Sequence, residues 1–319
     1  MVHVLVAGKL HLSGLALLER ADEVTFDHVE EVSEASYQDH LAQAEAIVIR
    51  TQPLSAGSIQ RAPKLKIVSR HGVGYDAVDV AALNARGIPL CIVGDVNSVS
   101  VAEHAMMLIL AAAKRARLAD MAVRTGPWAW RNRLEAGEIF GKRLLILGYG
   151  RIGRALARMA DGFGMEVRAY DPYLAEHGWP EGKVRPAATL RDGLAWADMV
   201  SVNMPKADRP VLGADEIASM KPGAILVNTA RGGIVDDAAL VAALRSGHIG
   251  AAGLDVFDEE PPLADNPLLA LDQVILTPHI AGLTRESAER MAVSSVQNVL
   301  DFLAGTLDPA LIVNKDAIG

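Results

Sequence analysis

Residues 142–171 read KRLLILGYGRIGRALARMADGFGMEVRAYD, and this stretch decides the fold. Its apolar run Leu144–Leu147 predicts a buried parallel strand. Three glycines follow in a G-x-G-x-x-G spacing, and a helical pattern comes after them. A second predicted strand, Met165–Tyr170, ends at Asp171, roughly 20 residues past the glycines. Strand, glycine turn, helix, strand and acid in this order are typical of a segment that binds a dinucleotide.

Each glycine of the turn has a physical reason. Gly148 allows the tight turn, Gly150 lets the backbone approach a pyrophosphate, and Gly153 lets the helix pack closely on the strand. Free N–H groups and the helix dipole favour an anion at the start of the helix. A glycine turn alone is a weak signal because such turns are common, but the strand, the helix and the acid accompany it here. The residues expected to hold the cofactor in this turn are Gly148, Tyr149, Gly150, Arg151, Ile152 and Gly153.

The acid at the end of the second strand bears on which dinucleotide is bound. The Asp171 carboxylate can accept a hydrogen bond from a ribose hydroxyl and would repel a 2′-phosphate, which favours NAD over NADP. Asp171 also precedes a proline, and an Asp-Pro pair can simply end a strand. The sequence therefore predicts NAD as the cofactor and leaves the role of this acid open.

Composition and charge exclude several other classes of protein. The chain has 319 residues, enough for two domains, and its net charge of −8 argues against nucleic acid or an anionic membrane as the main partner. The single cysteine, Cys91, excludes a disulfide framework within one chain and suits a reducing cytosol. Met1–Ala7 lacks the basic leader of a signal peptide, and the longest apolar stretch, Ala105–Ala113, is far shorter than a membrane span. A cytoplasmic location is expected.

The first hundred residues predict an α/β unit of their own. Helical patterns alternate there with short β-branched runs, which indicates a parallel sheet with helices on both faces. A glycine-rich loop, Arg70–Asp76, follows the predicted strand Leu65–Ser69, at the edge where open α/β sheets bind ligands. Gly72 and Gly74 can expose N–H groups to a carboxylate, although an ordinary tight turn has the same spacing.

The segment after Asn97 predicts a long helix followed by an arm. Ser100 and Glu103 form a capping box, so the helix is expected to begin there and to run to about Arg117. It is apolar nearly all round and needs cover at a domain junction or a subunit interface. The next segment, Arg124–Phe140, contains two tryptophans and predicts an extended arm that serves either a subunit interface or packing on its own domain.

The second half of the chain predicts another complete doubly wound domain and a returning helix. Thr284 can cap a final helix, Glu286–Ala304, which Gly305 closes. Because the apolar face of this helix needs a surface, we expect it to pack on the first domain. The prediction is an α/β fold of two doubly wound parallel-sheet domains, residues 1–98 plus 284–319 and residues 99–283, with the second inserted into the first. The later strands are expected at Met199–Val202, Ala224–Val227, Ala251–Leu254 and Val274–Leu276.

Arg231, Glu260 and His279 each lie in a loop that directly follows a predicted strand of the second domain. Carboxyl ends of parallel strands open onto one edge, so the three side chains can converge beside a nicotinamide, where hydride transfer is the chemistry. Histidine suits removal of a hydroxyl proton, a carboxylate stabilises the imidazolium, and arginine binds a substrate carboxylate bidentately. The alternatives are that His279 is only a turn residue, that Glu260 only solvates its loop, and that Arg231 is a surface cation. No H-x-x-x-H or C-x-x-C pattern indicates a metal site.

At these loops the chain resembles the D-isomer-specific 2-hydroxyacid dehydrogenases, and the resemblance covers nearly the whole length. The stretch MKPGAILVNTARGGIVD, residues 220–236, is highly specific to that family. The resemblance implies a Rossmann NAD-binding domain inserted into a flavodoxin-like substrate domain. It implies an NAD-dependent enzyme that interconverts a small (R)-2-hydroxy acid and its 2-keto acid. It also implies a homodimer, with the long helix and the tryptophan arm at the interface.

The resemblance assigns roles to individual residues as well. Arg231, Glu260 and His279 fall on the family's catalytic motifs, and the glutamate is chosen over Glu259 because the family's glutamate directly precedes a proline. Asp255 corresponds to the carboxylate that holds the nicotinamide amide. Further cofactor contacts are expected at Thr229, Ala230 and Gly282, and substrate contacts at Arg50, Arg70, Val73, Gly74 and Asn97.

Within the family the chain is most similar to the phosphoglycerate dehydrogenases and the glyoxylate/hydroxypyruvate reductases. Arg50 and Arg70 match positions that meet a distal phosphate in the former group, which favours a substrate with an anionic tail. Because the sequence ends at Gly319, a regulatory domain after it is not expected. Two other interpretations are an NAD-responsive, corepressor-like binding protein and a formate dehydrogenase. The latter fits less well, because that enzyme has glutamine where Glu260 stands.

Overall fold

The chain forms two parallel sheets in a computed structural model that describes residues 1–318. The strands are β1 Val2–Ala7, β2 Val24–Val29, β3 Ala46–Ile49, β4 Ile67–Arg70, β5 Leu90–Cys91, β6 Arg143–Leu147, β7 Glu166–Tyr170, β8 Arg185–Pro186, β9 Met199–Val202, β10 Ala224–Asn228, β11 Ile249–Leu254 and β12 Val274–Leu276. The α-helices are α1 Leu12–Glu19, α2 Ala56–Arg61, α3 Val80–Asn84, α4 Ser98–Ala113, α5 Ala116–Thr125, α6 Arg151–Gly162, α7 Pro172–His177, α8 Leu190–Trp196, α9 Ala214–Ser219, α10 Asp237–Ser246, α11 Arg285–Ala304 and α12 Lys315–Ile318. Short 3₁₀ turns lie at Ala35–His40, Trp128–Arg133, Pro267–Ala270 and Pro309–Leu311.

The chain divides into two compact units. Unit 1 consists of Met1–Asn97 and the described part of Leu283–Gly319, and unit 2 is the continuous segment Ser98–Gly282. Unit 2 is therefore inserted into the sequence of unit 1. Each unit has its own sheet and its own hydrophobic cores, as separate domains do. The predicted fold class, two doubly wound parallel-sheet domains, is confirmed.

Unit 1 is built on a five-stranded sheet in the order β2-β1-β3-β4-β5, with every neighbouring pair parallel. This is the strand order of flavodoxin-like folds. The central strand β3 is buried along its whole length, which explains its uniformly apolar sequence AIVI. Because β3 leads to Arg50 and β4 ends at Arg70, the sheet brings both arginines to the edge formed by its carboxyl ends.

The last long helix belongs to unit 1. The hydroxyl of Thr284 accepts the N–H of Ser287 at 3.0 Å at the start of α11, and Gly305 ends the helix in the left-handed conformation. The helix packs on α1, β3 and β4. A Cβ built on Gly14 of α1 would lie 2.9 Å from the carbonyl oxygen of Ala292, so glycine permits the close approach of the two helices. The prediction that the last helix packs on the first domain is confirmed.

Unit 2 is built on a seven-stranded parallel sheet in the order β12-β11-β10-β9-β6-β7-β8. The strand order reverses between β6 and β9, which is the switch point where doubly wound sheets bind ligands. Strand β6 is buried beyond its first residue, as its apolar run predicts. The loops after five of these strands carry the segments of chemical interest, which are Gly148–Gly153, Asn203, Thr229–Arg231, Asp255–Glu260 and Thr277–Gly282.

The helix after Asn97 differs from its prediction. Helix α4 begins at Ser98, so Ser100 is buried within the first turn and does not cap the helix. The helix ends at Ala113, because Arg115 adopts a left-handed backbone with φ 52° and separates α4 from α5. The prediction of one helix running from Ser100 to Arg117 is therefore wrong.

The segment that follows α4 is largely exposed. Neither α5 nor the turn Trp128–Arg133 contains a buried residue, and the side chain of Trp128 is 68% exposed. The predicted extended arm Arg124–Phe140 is therefore partly helical in the structure. Across residues 1–318, the helices fall short of the length and apolarity that crossing a membrane requires.

Candidate active site

The glycine turn after β6 is shaped by close backbone contacts. Gly148 has a φ of 90°, and a Cβ built there would lie 2.6 Å from the carbonyl oxygen of Asn203. A Cβ on Gly153 would lie 2.3 Å from the carbonyl oxygen of Gly148, so both positions need glycine. A Cβ on Gly150 would meet no atom of the described chain within 4 Å. This open space lies at the N-terminus of the 12-residue helix α6, where free N–H groups and the helix dipole favour an anion.

Asp171 joins this turn to the next helix. Its Oδ2 accepts the N–H of Tyr149 at 2.8 Å, and its Oδ1 accepts the N–H of Leu174 at 3.1 Å. One carboxylate therefore fixes the glycine turn and caps α7. An ionised carboxylate offers about four acceptor positions, so Asp171 retains capacity for a ribose hydroxyl. The ring of Tyr149 stacks on Trp179, with centroids 5.3 Å apart.

Two buried polar atoms at neighbouring strand ends have no hydrogen-bond partner within residues 1–318. They are Oδ1 of Asn203, just after β9, and Oγ1 of Thr229, just after β10. A buried polar atom without a partner is costly, so each marks a position that a bound molecule would satisfy. Together with the open space at Gly150, these atoms fit a polar dinucleotide at this edge of the sheet. Sequence reasoning missed Asn203, although it follows an apolar strand just as Thr229 follows its own strand.

The other predicted cofactor residues lie in the same set of loops. Arg151 and Ile152 are the first residues of α6, and Gly282 is the last residue of unit 2. The N–H of Ala230 donates to Oδ1 of Asn228 at 3.0 Å, so this group stabilises its own loop. The contacts of these residues with a cofactor stay predictions.

His279 and Glu260 form a hydrogen-bonded pair. Nδ1 of His279 lies 2.6 Å from Oε2 of Glu260, and Oε1 of the same carboxylate accepts the N–H of Phe257 at 3.0 Å. A carboxylate only accepts, so the proton of this bond is carried by Nδ1, which leaves Nε2 of the neutral ring as a base. The side chain of His279 is 49% exposed, so a substrate can reach it. The pair has the geometry of a general base held by an orienting carboxylate.

Asp255 is turned toward the loop of His279. Its side chain is fully buried and accepts hydrogen bonds from the Thr277 hydroxyl at 2.6 Å and from the N–H groups of Ile280 and Ala281 at 2.9 Å and 2.8 Å. The resemblance implied that this carboxylate holds the nicotinamide amide. In the structure three donors of the His279 loop engage it, and a contact with nicotinamide stays a prediction.

Arg231 lies in the loop after β10, next to the loop that carries Glu260. Its Nη1 donates to the carbonyl oxygen of Ala230 at 2.7 Å, and its own carbonyl oxygen accepts from Nδ2 of Asn228 at 2.9 Å. A Cβ on Gly232 would lie 1.9 Å from the carbonyl oxygen of Phe257, so the two loops are in direct backbone contact. The structure thus packs the arginine loop against the glutamate loop, whose carboxylate in turn binds the histidine. Within residues 1–318, no group of three His, Cys, Asp or Glu side chains could hold a metal ion.

Unit 1 carries a polar edge of its own. Nη1 of Arg70 donates to the carbonyl oxygen of His71 at 2.6 Å, which folds the arginine over its own loop. Val73 and Gly74 follow in that loop and are half-buried, and Arg50 is half-buried at the end of the neighbouring strand. The predicted substrate residues of the first sheet therefore share one edge of unit 1.

Two buried polar atoms at this edge also lack a hydrogen-bond partner in the described part of the chain, Nδ1 of His71 and Oδ1 of Asn97. The pKa of His71 is lowered to about 4, first by burial and then by the charges of Arg50 and Arg70. The imidazole is therefore neutral at pH 7 and can accept a hydrogen bond from a ligand. Asn97 was among the substrate contacts predicted from the sequence, whereas His71, which directly follows a strand and precedes a glycine, was not.

The chain matches known proteins along nearly all of its length. The family model for the NAD binding domain of D-isomer specific 2-hydroxyacid dehydrogenases matches residues 106–281. A D-3-phosphoglycerate dehydrogenase of Mycobacterium leprae (strain TN) is 40% identical over 309 residues, which make up 96% of this chain and 58% of that protein. The chain thus spans little more than half the length of that relative.

Two further comparisons cover this chain and the matched protein to a similar extent. A glyoxylate reductase of Korarchaeum cryptofilum (strain OPF8) is 39% identical over 286 residues, which make up 88% of this chain and 86% of that protein. The crystal structure of the TT0316 protein from Thermus thermophilus is similar with a TM-score of 0.87 and 35% identity, covering 97% of this chain and 99% of that one. The family that the sequence motifs predicted is confirmed, and the chain belongs to the D-isomer-specific 2-hydroxyacid dehydrogenases.

Proposed function

We propose that the protein is an NAD-dependent oxidoreductase that interconverts a small (R)-2-hydroxy acid and its 2-keto acid by hydride transfer. The observation that carries this proposal is the 2.6 Å hydrogen bond between His279 Nδ1 and Glu260 Oε2 at the ligand-binding edge of the unit 2 sheet. In this proposal residues 99–283 bind the cofactor, and residues 1–98 with 284–319 bind the substrate.

The residues of the chain divide the work of the reaction. When bound, NAD supplies hydride transfer. Nε2 of His279 takes the hydroxyl proton during oxidation and returns it during reduction. Glu260, itself held by the N–H of Phe257, orients the imidazole and stabilises the imidazolium. Arg231 binds the substrate carboxylate and polarises the carbonyl oxygen.

The polar edge of unit 1 supports a substrate with a second anionic group. Arg50 and Arg70 stand at the ends of neighbouring strands, and the N–H groups of Val73 and Gly74 bind the common carboxylate in this proposal. The identity with a D-3-phosphoglycerate dehydrogenase supports a phosphoglycerate dehydrogenase-like activity. The alternative, a glyoxylate/hydroxypyruvate reductase, is favoured by the glyoxylate reductase that the chain matches over 86% of that protein's length.

The reaction is tested by assaying phosphohydroxypyruvate, hydroxypyruvate, glyoxylate and pyruvate, each with NADH and with NADPH. We expect turnover of at least one acid, with NADH preferred. A His279→Ala variant should lose about 10²-fold or more in kcat. The matched control is His177→Ala, which removes an exposed histidine of unit 2 and should keep the wild-type kcat.

Two outcomes would contradict the proposal. A folded His279→Ala protein with full kcat would remove the histidine from the mechanism. Binding of NADH without turnover of any 2-keto acid would favour the corepressor-like interpretation instead.

A homodimer is part of the same proposal. An apolar groove of about 550 Å³ runs along α4 and α6 and is lined by Met106, Met107, Leu110, Met159 and Phe163. Exposed apolar side chains also lie on α5 and in the turn after it, at Val123 and Trp128, and exposed apolar patches mark protein interfaces. We expect light scattering to give twice the mass of the chain, and Met107→Asp to shift the protein toward monomer. A monomeric wild type would contradict this part of the proposal.

The proposed location is the cytoplasm. Cys91 is the single cysteine of the sequence and forms no disulfide in the structure, and burial raises the pKa of its thiol to about 12. A cytoplasmic chain has no need of a disulfide, which supports this location. Fractionation of cells that express the protein tests it, and recovery outside the cytoplasmic fraction would contradict it.

A further inference from the structure

Three side chains connect helix α4 to the loop that carries His279. Nε2 of His104, on α4, lies 2.9 Å from Oγ1 of Thr277, and that hydroxyl donates to Oδ1 of Asp255 at 2.6 Å. The hydroxyl has one proton, which is directed at the carboxylate, so its oxygen must accept from Nε2–H of His104. The hydrogen bonds therefore run in one direction, from His104 through Thr277 to Asp255.

Asp255 in turn holds the loop at three successive residues. Its main-chain carbonyl accepts the N–H of His279 at 2.9 Å, and its carboxylate accepts the N–H groups of Ile280 and Ala281 at 2.9 Å and 2.8 Å. His279 has φ 52°, a left-handed conformation that residues other than glycine rarely adopt. The successive N–H groups can point to one acceptor because of this conformation.

The network is largely shielded from water at His104, the residue that begins it. The side chain of His104 is 13% exposed and that of Asp255 is fully buried, and Nε2 of His104 also lies 3.5 Å from Oδ1 of Asp255. Hydrogen bonds to a buried carboxylate are strong because the surroundings are poorly polarisable. The N–H of His104 holds the oxygen of the Thr277 hydroxyl from the side of α4. Removing this donor leaves the hydroxyl free to turn away from Asp255.

We infer that His104 is a positioning residue for His279, with the Thr277 hydroxyl and the Asp255 carboxylate as the connection. Its Nε2–H keeps the hydroxyl donating to Asp255, and Asp255 keeps residues 279–281 in the conformation that presents the His279 ring. The role in turnover rests on the proposed function, whereas the link from α4 to the loop does not. Displacement of a reacting group by a fraction of an ångström lowers kcat more than it weakens cofactor binding.

The kinetic test compares two substitutions at His104. His104→Leu removes the donor, and we expect kcat to fall about tenfold while KM for NADH stays within about twofold. His104→Gln keeps an N–H donor and should restore kcat to within about threefold of the wild type. The matched control is His248→Leu, which removes a half-buried histidine that bonds the carbonyl oxygen of Ile217 elsewhere in unit 2. If His104→Leu does not fold, Thr277→Val breaks the same connection and should give the same division between kcat and KM.

Amide hydrogen exchange tests the connection between His104 and the His279 loop without an activity assay. We expect the amide hydrogens of Ile280 and Ala281 to exchange at least about tenfold faster in His104→Leu than in the wild type, and not in His248→Leu. If the wild type turns over no 2-keto acid, the proposed function fails and the exchange measurement alone decides this inference. A folded His104→Leu protein with unchanged exchange at both amides would overturn it. Unchanged kcat in an active enzyme would also overturn it.

Discussion

Single carboxylates in unit 2 bind two partners at once. Glu260 accepts the N–H of Phe257 as well as the ring of His279, and Asp171 accepts the N–H of Tyr149 as well as that of Leu174. Each carboxylate therefore has a fixed orientation before any ligand arrives, which lowers the entropic cost of assembling the site. A substitution at such a residue changes the local fold and the chemistry together.

Replacing Glu260 by glutamine tests its negative charge separately from its role in orienting the His279 ring. Glu260→Gln keeps an oxygen that can accept from Nδ1 of His279 but removes the negative charge that stabilises the imidazolium. We expect kcat to fall about tenfold or more and the pH profile of kcat/KM to change. The measurement is steady-state kinetics from about pH 5 to about pH 9.

Glu259 supplies the control for this prediction. It is exposed and directly precedes Glu260, so Glu259→Gln changes the net charge equally without touching the pair. A larger loss in Glu259→Gln than in Glu260→Gln would show that the wrong glutamate was chosen.

Asp237 at the start of α10 makes stability depend on pH. Its pKa is raised to about 6 from an ordinary 3.8, first by burial and then by Asp258 and Asp236. Because the folded state binds this proton more tightly than the unfolded chain, the stabilisation is full below pH 3.8 and is lost as pH rises through about 6. We therefore expect the stability of Asp237→Asn relative to the wild type to be greater at pH 8 than at pH 4.5. The difference in free energy of unfolding should be about 1 kcal/mol, a value reduced for partial exposure.

Urea unfolding at the two pH values measures this gain. The control is Asp215→Asn, which removes the same charge from an exposed aspartate in the first turn of α9. An Asp237→Asn protein whose gain is equal at both pH values would contradict the assignment.

At the scale of elements, the glycine turn and α7 form one assembly through Asp171. Asp171→Ala removes the acceptor for two N–H groups, and we expect it to cost about 1 kcal/mol or more in stability and to raise KM for NADH. Asp171→Asn keeps one acceptor oxygen and removes the charge, so it should retain most of the stability while weakening the preference for NADH over NADPH. Thermal unfolding and KM for both cofactors measure these effects.

A helix cap outside the cofactor site is the comparison for Asp171. Asp79 caps α3 in unit 1 by accepting the N–H of Ala82 at 2.9 Å. Asp79→Ala should lower stability by a similar amount and leave both KM values unchanged. If Asp171→Asn kept the wild-type ratio of the two KM values, the acid would not select the cofactor.

At the scale of the whole molecule, features encoded in a local pattern could be predicted, whereas several features made by single contacts between distant residues could not. The glycine turn and the Thr284 and Gly305 ends of α11 follow from residues within a few positions of each other. The break before α5 has no such local signal, because Nη1 of Arg115 donates to the carbonyl oxygen of Gly250 at 2.7 Å, across the fold of unit 2. The same holds for His104, whose partner Thr277 lies far along the chain.

The candidate site divides in the same way. The loops of Arg231, Glu260 and His279 were located from the strand pattern, because strands of a parallel sheet share an edge. The inward orientation of the Asp255 carboxylate depends on N–H groups more than 20 residues later, and a backbone direction of that kind is not encoded in residue type.

Unit 2 is one continuous segment, so we expect residues 98–282 to fold alone. The isolated segment should bind NADH, because the glycine turn and Asp171 lie within it, and should turn over no 2-keto acid, because Arg50 and Arg70 are absent. Fluorescence titration with NADH and circular dichroism measure binding and folding. The same segment with His279→Ala should bind NADH equally well, and failure of the folded segment to bind NADH would contradict the domain assignment.

The discontinuity of unit 1 has a consequence for how the chain is made. Strands β1–β5 leave the ribosome first, but α11, whose Ala292 lies against Gly14 of α1, is translated only after all of unit 2. At ordinary rates of synthesis this delay is on the order of ten seconds or more, during which the face of α1 that carries Leu18 has no helix to cover it. Unit 2 can therefore fold before unit 1 is complete, although the five strands of unit 1 are translated before unit 2.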